Sequence, residues 1–396
     1  MYASKIKNWN KAINNVSFFS ISTGLWTNFK QLWLQDNGLI ISEISNIISL
    51  GTFACVIGII LFSKYITLNK LKGFIVGLIL TKIFVMLFLF FNNDTNNITI
   101  IKTLIVLDII VERLIILSIY PFLTTIIKDD VMYTKRKLTE YLFKDIGILI
   151  GGILIGKFIF GFIIDYNSCL YISIFFLVLS FLFMVMIHNP VTRKPINSNI
   201  GFANYLLKNK ILIVYCLYYF TGHLALSAGI GLKMLMLTEY FDFSDSIATN
   251  YLLVVGLAAD ILGFICLKKF TFKNDYLNVS IKFLIRFFAY TIAFISNNLL
   301  ISFLALTWSL LISTAYENIT DAPYINKVKN EFQLIYENFR YIFGIIGEAI
   351  GIFFCGIMFT LGLKYMFGLS AFLMIFQILL VYYLIYMRTH PKSSES

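Results

Sequence analysis

Twelve apolar stretches run almost end to end through this 396-residue chain, roughly at 12 to 35, 42 to 65, 73 to 91, 99 to 122, 140 to 164, 170 to 188, 211 to 237, 246 to 267, 278 to 296, 298 to 318, 332 to 361 and 366 to 387. A helix of about 20 such residues crosses the roughly 30 Å of hydrocarbon in a bilayer. The stretches are too long for the alternating strands of about 10 residues that build a membrane barrel. With 59% hydrophobic and 13% charged residues, the chain also lacks the polar surface that a water-soluble core of this size needs. The sequence therefore predicts an all-α polytopic membrane protein with twelve transmembrane helices in contact with a lipid bilayer.

The net charge of +11 raises the question of nucleic acid, and the placement of the charge answers it. Lysine and arginine collect at 5 to 11, 64 to 72, 128 to 137, 193 to 210, 268 to 273, 327 to 329 and 388 to 392, which are alternate ends of the stretches; the opposite loops hold only Lys364. This positive-inside bias predicts cytoplasmic termini in the plasma membrane and leaves no charge to be explained by nucleic acid. Met1 to Lys11 contains no short apolar run followed by a small-residue cleavage site, so the first helix is expected to be retained. Cys55, Cys169, Cys216, Cys266 and Cys355 have no metal-type spacing and read as small packing residues. There is no phosphate-binding loop ending in Gly-Lys-Ser/Thr, and no Gly-x-Ser-x-Gly, His-Glu-x-x-His or Cys-x-x-Cys. The sequence thus argues against an enzyme, and no cofactor or metal is expected.

The chain repeats itself. Lys30-Gln-Leu-Trp-Leu-Gln-Asp36 in stretch one returns 203 residues later as Lys233-Met-Leu-Met-Leu-Thr-Glu239 in stretch seven, and Tyr141, Gly147, Gly151 and Gly156 return 200 residues later as Tyr341, Gly347, Gly351 and Gly356. Between the copies lies a polar break with Pro190, Pro195, Arg193 and Lys194. The expected organisation is an N-terminal six-helix bundle at 1 to 188, a cytoplasmic linker at 189 to 210 and a C-terminal six-helix bundle at 211 to 396. An even number of stretches precedes each copy, so the repeats run parallel through the membrane.

Two parallel six-helix halves, a basic central loop and cytoplasmic termini resemble the major facilitator superfamily (MFS). Gly24 to Ile44, with Leu-Trp-Leu-Gln-Asp-Asn-Gly-Leu before Ser42-Glu43-Ile44, is similar to that superfamily's first outer hairpin. The superfamily's signature after span two is degraded: Gly58 and Lys64 are present, but Ser63 stands in place of the acid. Gly147-x-x-x-Gly151-Gly152-x-x-x-Gly156 is similar to a glycine motif of drug-proton antiporters without its proline, and close helix packing through small residues also accounts for it. The resemblance implies secondary active transport by alternating access. It also implies that spans one and seven line a shared cavity, so that Lys30 and Lys233 face each other there, as paired cations do in organophosphate-phosphate antiporters.

A charge at the centre of a span costs about 2.5 to 3.5 kcal/mol on insertion scales, so each one is a candidate for function. Asp108 and Glu112 in span four share a helical face, with Arg113 turned about 100° away. Two acids so close in low dielectric raise each other's proton affinity, which suits proton coupling; pairing with Arg113 as a structural lock is the alternative. Glu348, among Gly344, Gly347 and Gly351, is a third proton-coupling candidate, and Asp260 is expected to pair with a cation. Thr23, Thr27 and Lys30 form a polar stripe on span one, while Tyr219 and His223 precede Lys233 in span seven; these six are the expected substrate contacts. Snorkelling of both lysines to water and simple packing of His223 are the bland readings. The sequence therefore points to a monomeric transporter of an anionic or zwitterionic metabolite, coupled to protons. The alternatives are a drug or lipid-like efflux pump and a non-transporting receptor or scaffold of the same fold.

Overall fold

The computed structural model describes residues 2 to 27, 29 to 65, 70 to 92, 98 to 126, 166 to 187, 206, 208 to 269, 275 to 296, 298 to 311 and 333 to 389. Among the described residues the regular elements are helices, as hydrocarbon requires when each backbone donor must be satisfied within its own segment. Span one is α1 (Tyr2–Thr27) followed by α2 (Lys30–Asp36). Then come α3 (Ile41–Tyr65), α4 (Leu71–Phe91), α5 (Ile98–Ile126) and α6 (Tyr166–Met186). Span seven is likewise divided, into α7 (Lys210–Ile230) and α8 (Lys233–Phe241). It is followed by α9 (Asp245–Lys269), α10 (Asp275–Ile295), α11 (Leu299–Leu311), α12 (Gln333–Leu361) and α13 (Leu363–Thr389). The fifth expected span, 140 to 164, with Tyr141, Gly147, Gly151 and Gly156, lies outside the described residues. Among the described residues, six helical segments are long and apolar enough to cross a membrane, Leu71–Phe91 and Lys210–Phe241 being two of them.

The chain forms two compact units, Met1–Pro195 with Leu237–Leu257, and Ile196–Met236 with Ala258–Ser396. In the first, α1 packs along α6. Ser173 Oγ donates to the Ser22 carbonyl at 2.9 Å, and one stretch further along, Ser180 Oγ donates to the Asn15 carbonyl at 3.2 Å. Asn15 Nδ2 answers with bonds to Ser180 O at 2.7 Å and Ser180 Oγ at 2.9 Å. Phe18 stacks on Phe176 and Phe183 on the same seam. The last carbonyls of α6 are capped by lysines: Lys11 Nζ reaches Met186 O at 2.8 Å and Lys72 Nζ reaches Val185 O at 2.9 Å. Cations satisfy these groups where the helix leaves them without partners and where its dipole is negative.

The second unit repeats the seam. Ser370 Oγ on α13 donates to the Ala225 carbonyl on α7 at 2.5 Å, and Gln377 Nε2 donates to the Tyr218 carbonyl at 3.4 Å. The accepting residues stand 203 positions after Ser22 and Asn15, and the donors 197 positions after Ser173 and Ser180. Four hydrogen bonds in two matching pairs are thus the packed form of the internal repeat. On its other side α7 lies against α12 with almost nothing between the backbones. A Cβ added at Gly347 would strike the Phe220 carbonyl oxygen, and one at Gly351 would come within 2.6 Å of the Leu224 carbonyl oxygen. Lipid offers no hydrophobic drive for helices to pair, so small residues that permit such close approach supply van der Waals contact instead. Helix packing therefore accounts for this copy of the glycine pattern.

In both copies the repeat lysine is the first residue of a new short helix. Lys30 opens α2 just beyond Phe29, and Lys233 opens α8 beyond Gly231 and Leu232.

A buried charge quartet as candidate functional site

On α5, Asp108 and Glu112 lie one turn apart and face inward, fully buried and 7% exposed respectively. Between them sits the ammonium of Lys82 from α4, also fully buried. Lys82 Nζ is 2.7 Å from Asp108 Oδ1 and 2.8 Å from Glu112 Oε2. Lys30, the first residue of α2 and 3% exposed, brings a second ammonium to the same place, 2.5 Å from Asp108 Oδ2 but 4.0 Å from Glu112 Oε2. Two neutral donors from the end of α1 complete the set: Trp26 Nε1 donates to Asp108 Oδ2 at 2.9 Å and Thr27 Oγ1 to Glu112 Oε1 at 3.1 Å. Trp26 is fixed in turn by an edge contact with Trp33 across the α1–α2 junction, ring centroids 5.6 Å apart.

The four charges sum to zero. That balance is what lets them stay in a dry interior, where an uncompensated charge is prohibitive and removal of one partner from a buried pair costs about 3–5 kcal/mol. Each acid has a cation from α4, and Asp108 has a second in Lys30. Arg113 is half-buried on the same helix as the acids. Lys82 is not among the residues expected from the sequence, because no acid lies near it in its own span. Its position deep in the apolar run 73 to 91 was the available signal, since a lone lysine there demands a partner from another helix.

The remaining expected contacts are distributed between the units. Thr27 and Lys30 belong to the quartet, whereas the buried Thr23 hydroxyl is returned to its own helix, donating to Phe19 O at 2.9 Å. In the second unit, Tyr219 and His223 pack ring against ring with centroids 4.4 Å apart, and the Arg340 guanidinium lies 4.5 Å from the Tyr219 ring centroid. Gly344 makes room for this group, for a Cβ there would fall 2.6 Å from Tyr219 Cε1. Glu348 and Lys233 are half-buried on α12 and α8. Asp260 is on α9, and its side chain lies outside the described residues.

The acid ends of both repeat copies lie in the first unit. Gln35 Nε2 donates to Glu239 Oε1 at 2.5 Å. Near them, burial and then the negative charge of Asp245 push the Asp36 carboxyl above its ordinary value of 3.8.

No protein-family model matches the chain, and no curated protein matches its sequence. Its structure is similar to solved structures of transporters. The crystal structure of the human organic anion transporter MFSD10 is 10% identical, with 95% of this chain and 99% of that chain covered and a TM-score of 0.69. The Escherichia coli fucose:proton symporter FucP is 13% identical, with 96% and 99% covered and a TM-score of 0.70. A second structure of FucP, described as a major facilitator superfamily transporter in the outward conformation, is 12% identical with a TM-score of 0.66. The chain has the major facilitator fold.

Proposed function

We propose that this chain is a secondary active transporter that carries a small anionic or zwitterionic solute by alternating access, coupled to protons. The observation that carries the proposal is the quartet. A purely structural role could be filled by apolar side chains of similar volume, often at a gain in stability, whereas two lysines and two acids bridging spans one, three and four make a group whose charge can be rearranged. Lys30 is the member suited to meet a solute, since it opens a separate short helix and has its one close ion pair with Asp108. Arg340, Tyr219 and His223 form a second polar group, in the unit that also contains Lys233. The likeness to proteins named as an organic anion transporter and a sugar:proton symporter supports transport, though those names belong to those proteins. We place the protein, as a monomer, in the plasma membrane with both termini cytoplasmic. The lysines that cap α6 agree with that orientation.

The test is a thermal-shift screen of the purified protein against carboxylates, amino acids, sugar phosphates and cationic drugs, followed by flux of each hit into proteoliposomes. A ligand at 100 times its Kd stabilises the fold by about 2.7 kcal/mol, well above detection. We expect an anionic or zwitterionic hit that accumulates against its gradient when the lumen is made alkaline. Hits confined to cationic drugs would replace this reading with efflux, and binding without flux would replace it with a receptor.

A further inference from the structure

We propose that the quartet is a charge-exchange site in which the anionic group of a singly charged solute takes Lys30 from Asp108, and Asp108 takes up one proton in return, while Lys82 stays with Glu112. The inference rests on the transport reading for its place in a cycle and makes that reading specific in substrate charge, in stoichiometry and in the acid used.

The argument begins with how each acid is held. Glu112 keeps both of its strong donors whatever Lys30 does, because Oε2 is bound by Lys82 at 2.8 Å and Oε1 by Thr27 at 3.1 Å. Asp108 differs. Its Oδ1 is bound by Lys82 at 2.7 Å, but Oδ2 depends on Lys30 at 2.5 Å with only the Trp26 indole, at 2.9 Å, as a second donor. If the Lys30 ammonium turns to a solute anion, the protein keeps one cation, Lys82, for two carboxylates. Two buried carboxylates that share one cation carry one unbalanced negative charge, which is neutralised by uptake of a proton rather than kept. Both acids keep Lys82 and one neutral donor, but Asp108 is the one that has lost a close ion pair, at Oδ2, so the proton goes there, from water on the side where the solute entered.

The balance closes for one negative charge. Before entry the two ammonium groups and two carboxylates sum to zero; afterwards the solute anion and the added proton cancel. No bond other than hydrogen bonds and one O–H is made or broken. A doubly charged group would leave the site negative, and an uncharged solute gives Lys30 no reason to leave. The geometry also separates the cations by task. Lys82 is fully buried and grips both acids from α4, so it is the fixed member. Lys30 lies at the junction of two helices and grips one, so it is the exchangeable member.

The test needs no knowledge of the solute, because Lys30→Met mimics the moment when Lys30 has left. Infrared spectra of the purified protein at neutral pH report a protonated carboxyl group by its carbonyl stretch. We expect that band to be absent from wild type, present in Lys30→Met, and lost again in both Lys30→Met/Asp108→Asn and Lys30→Met/Glu112→Gln, each of which leaves one carboxylate with Lys82; carbon-13 labelling of the aspartate carboxyls should shift the Lys30→Met band, and labelling of the glutamate carboxyls should not. Lys30→Gln, which keeps a polar side chain, serves in the same four-way comparison should Lys30→Met fail to purify as a single species. A band that shifts with labelled glutamate and not with labelled aspartate would overturn the assignment, and so would no band in either Lys30 variant. The band is independent of flux: its presence without solute accumulation supports the exchange site while removing the transport reading, whereas accumulation without the band removes the exchange site alone.

Discussion

The two units share their helix seams and differ in their charges. Ser173 and Ser180 donate to the carbonyls of Ser22 and Asn15 in one unit, and Ser370 and Gln377 donate to those of Ala225 and Tyr218 in the other. The quartet's cations are repeated too, for Lys30 is matched by Lys233, 203 residues on, and Lys82 by Arg286, 204 residues on and 3% exposed. Asp108 has no such mate. The corresponding positions in span ten are Leu311, Ile312 and Ser313, none of them ionisable near neutral pH. Among the described residues, the bonds that hold spans together thus recur in both units, and in the first unit Asp108 binds both cations. Packing is the shared inheritance, and the charge exchange proposed above belongs to one unit.

The strongest way to break that contrast is Lys82→Met. Removing the cation common to both acids leaves two buried carboxylates with Lys30 alone, and the expected loss is about 3–5 kcal/mol. The double variant Lys82→Met/Asp108→Asn restores the balance and should recover most of it, a large non-additivity by thermal or chemical denaturation. If the two single losses simply add, the four groups do not act as one.

A smaller effect sharpens the shared side of the comparison. Ser173→Ala and Ser370→Ala each delete one buried hydroxyl that donates to a span-one or span-seven carbonyl. Interhelical hydrogen bonds in membranes average about 0.6 kcal/mol, so both variants should lose about that much, and by nearly equal amounts. A loss several times larger in one than in the other would mean that the two seams, though matched in geometry, are not matched in energy.

Much of this was legible in the residues. Apolar length alone marked the spans, because hydrocarbon imposes one requirement on any chain that crosses it. The acids of span four declared themselves by their cost in lipid, and the Lys30 and Lys233 repeat marked the starts of α2 and α8. Lys82 did not declare itself, because its partners lie 26 and 30 residues away on another helix and no local spacing encodes that meeting. The seams were hidden for the same reason. Serine in a span is unremarkable until the carbonyl it faces is known, and the matching offsets of 203 and 197 gain meaning only when donors and acceptors are paired. Thr23 was read as part of a cavity stripe by its spacing, but a hydroxyl four residues after a carbonyl on a helix can satisfy itself at home, as it does with Phe19.

The smallest expected effect concerns the acid ends of the repeat, where both copies lie in one unit. Asp36 is the first copy's acid, and its carboxyl is pushed up by burial and by Asp245. An acid whose folded value is raised binds its proton more tightly in the folded state. Its contribution is therefore fully present below the unfolded value of 3.8 and is lost as pH rises through the raised folded value. At neutral pH wild type carries the penalty of an ionised Asp36 facing Asp245, and Asp36→Asn does not. The variant's Tm should exceed that of wild type at neutral pH by a small margin, since the group is near the surface and solvent screens it, and the two should converge below pH 3.8. A margin that persists unchanged into acid would trace the gain to amide hydrogen bonding instead. A margin that vanishes in Asp36→Asn when Asp245→Asn is also present would tie it to the pair, and so to the meeting of the first copy's end with the start of α9.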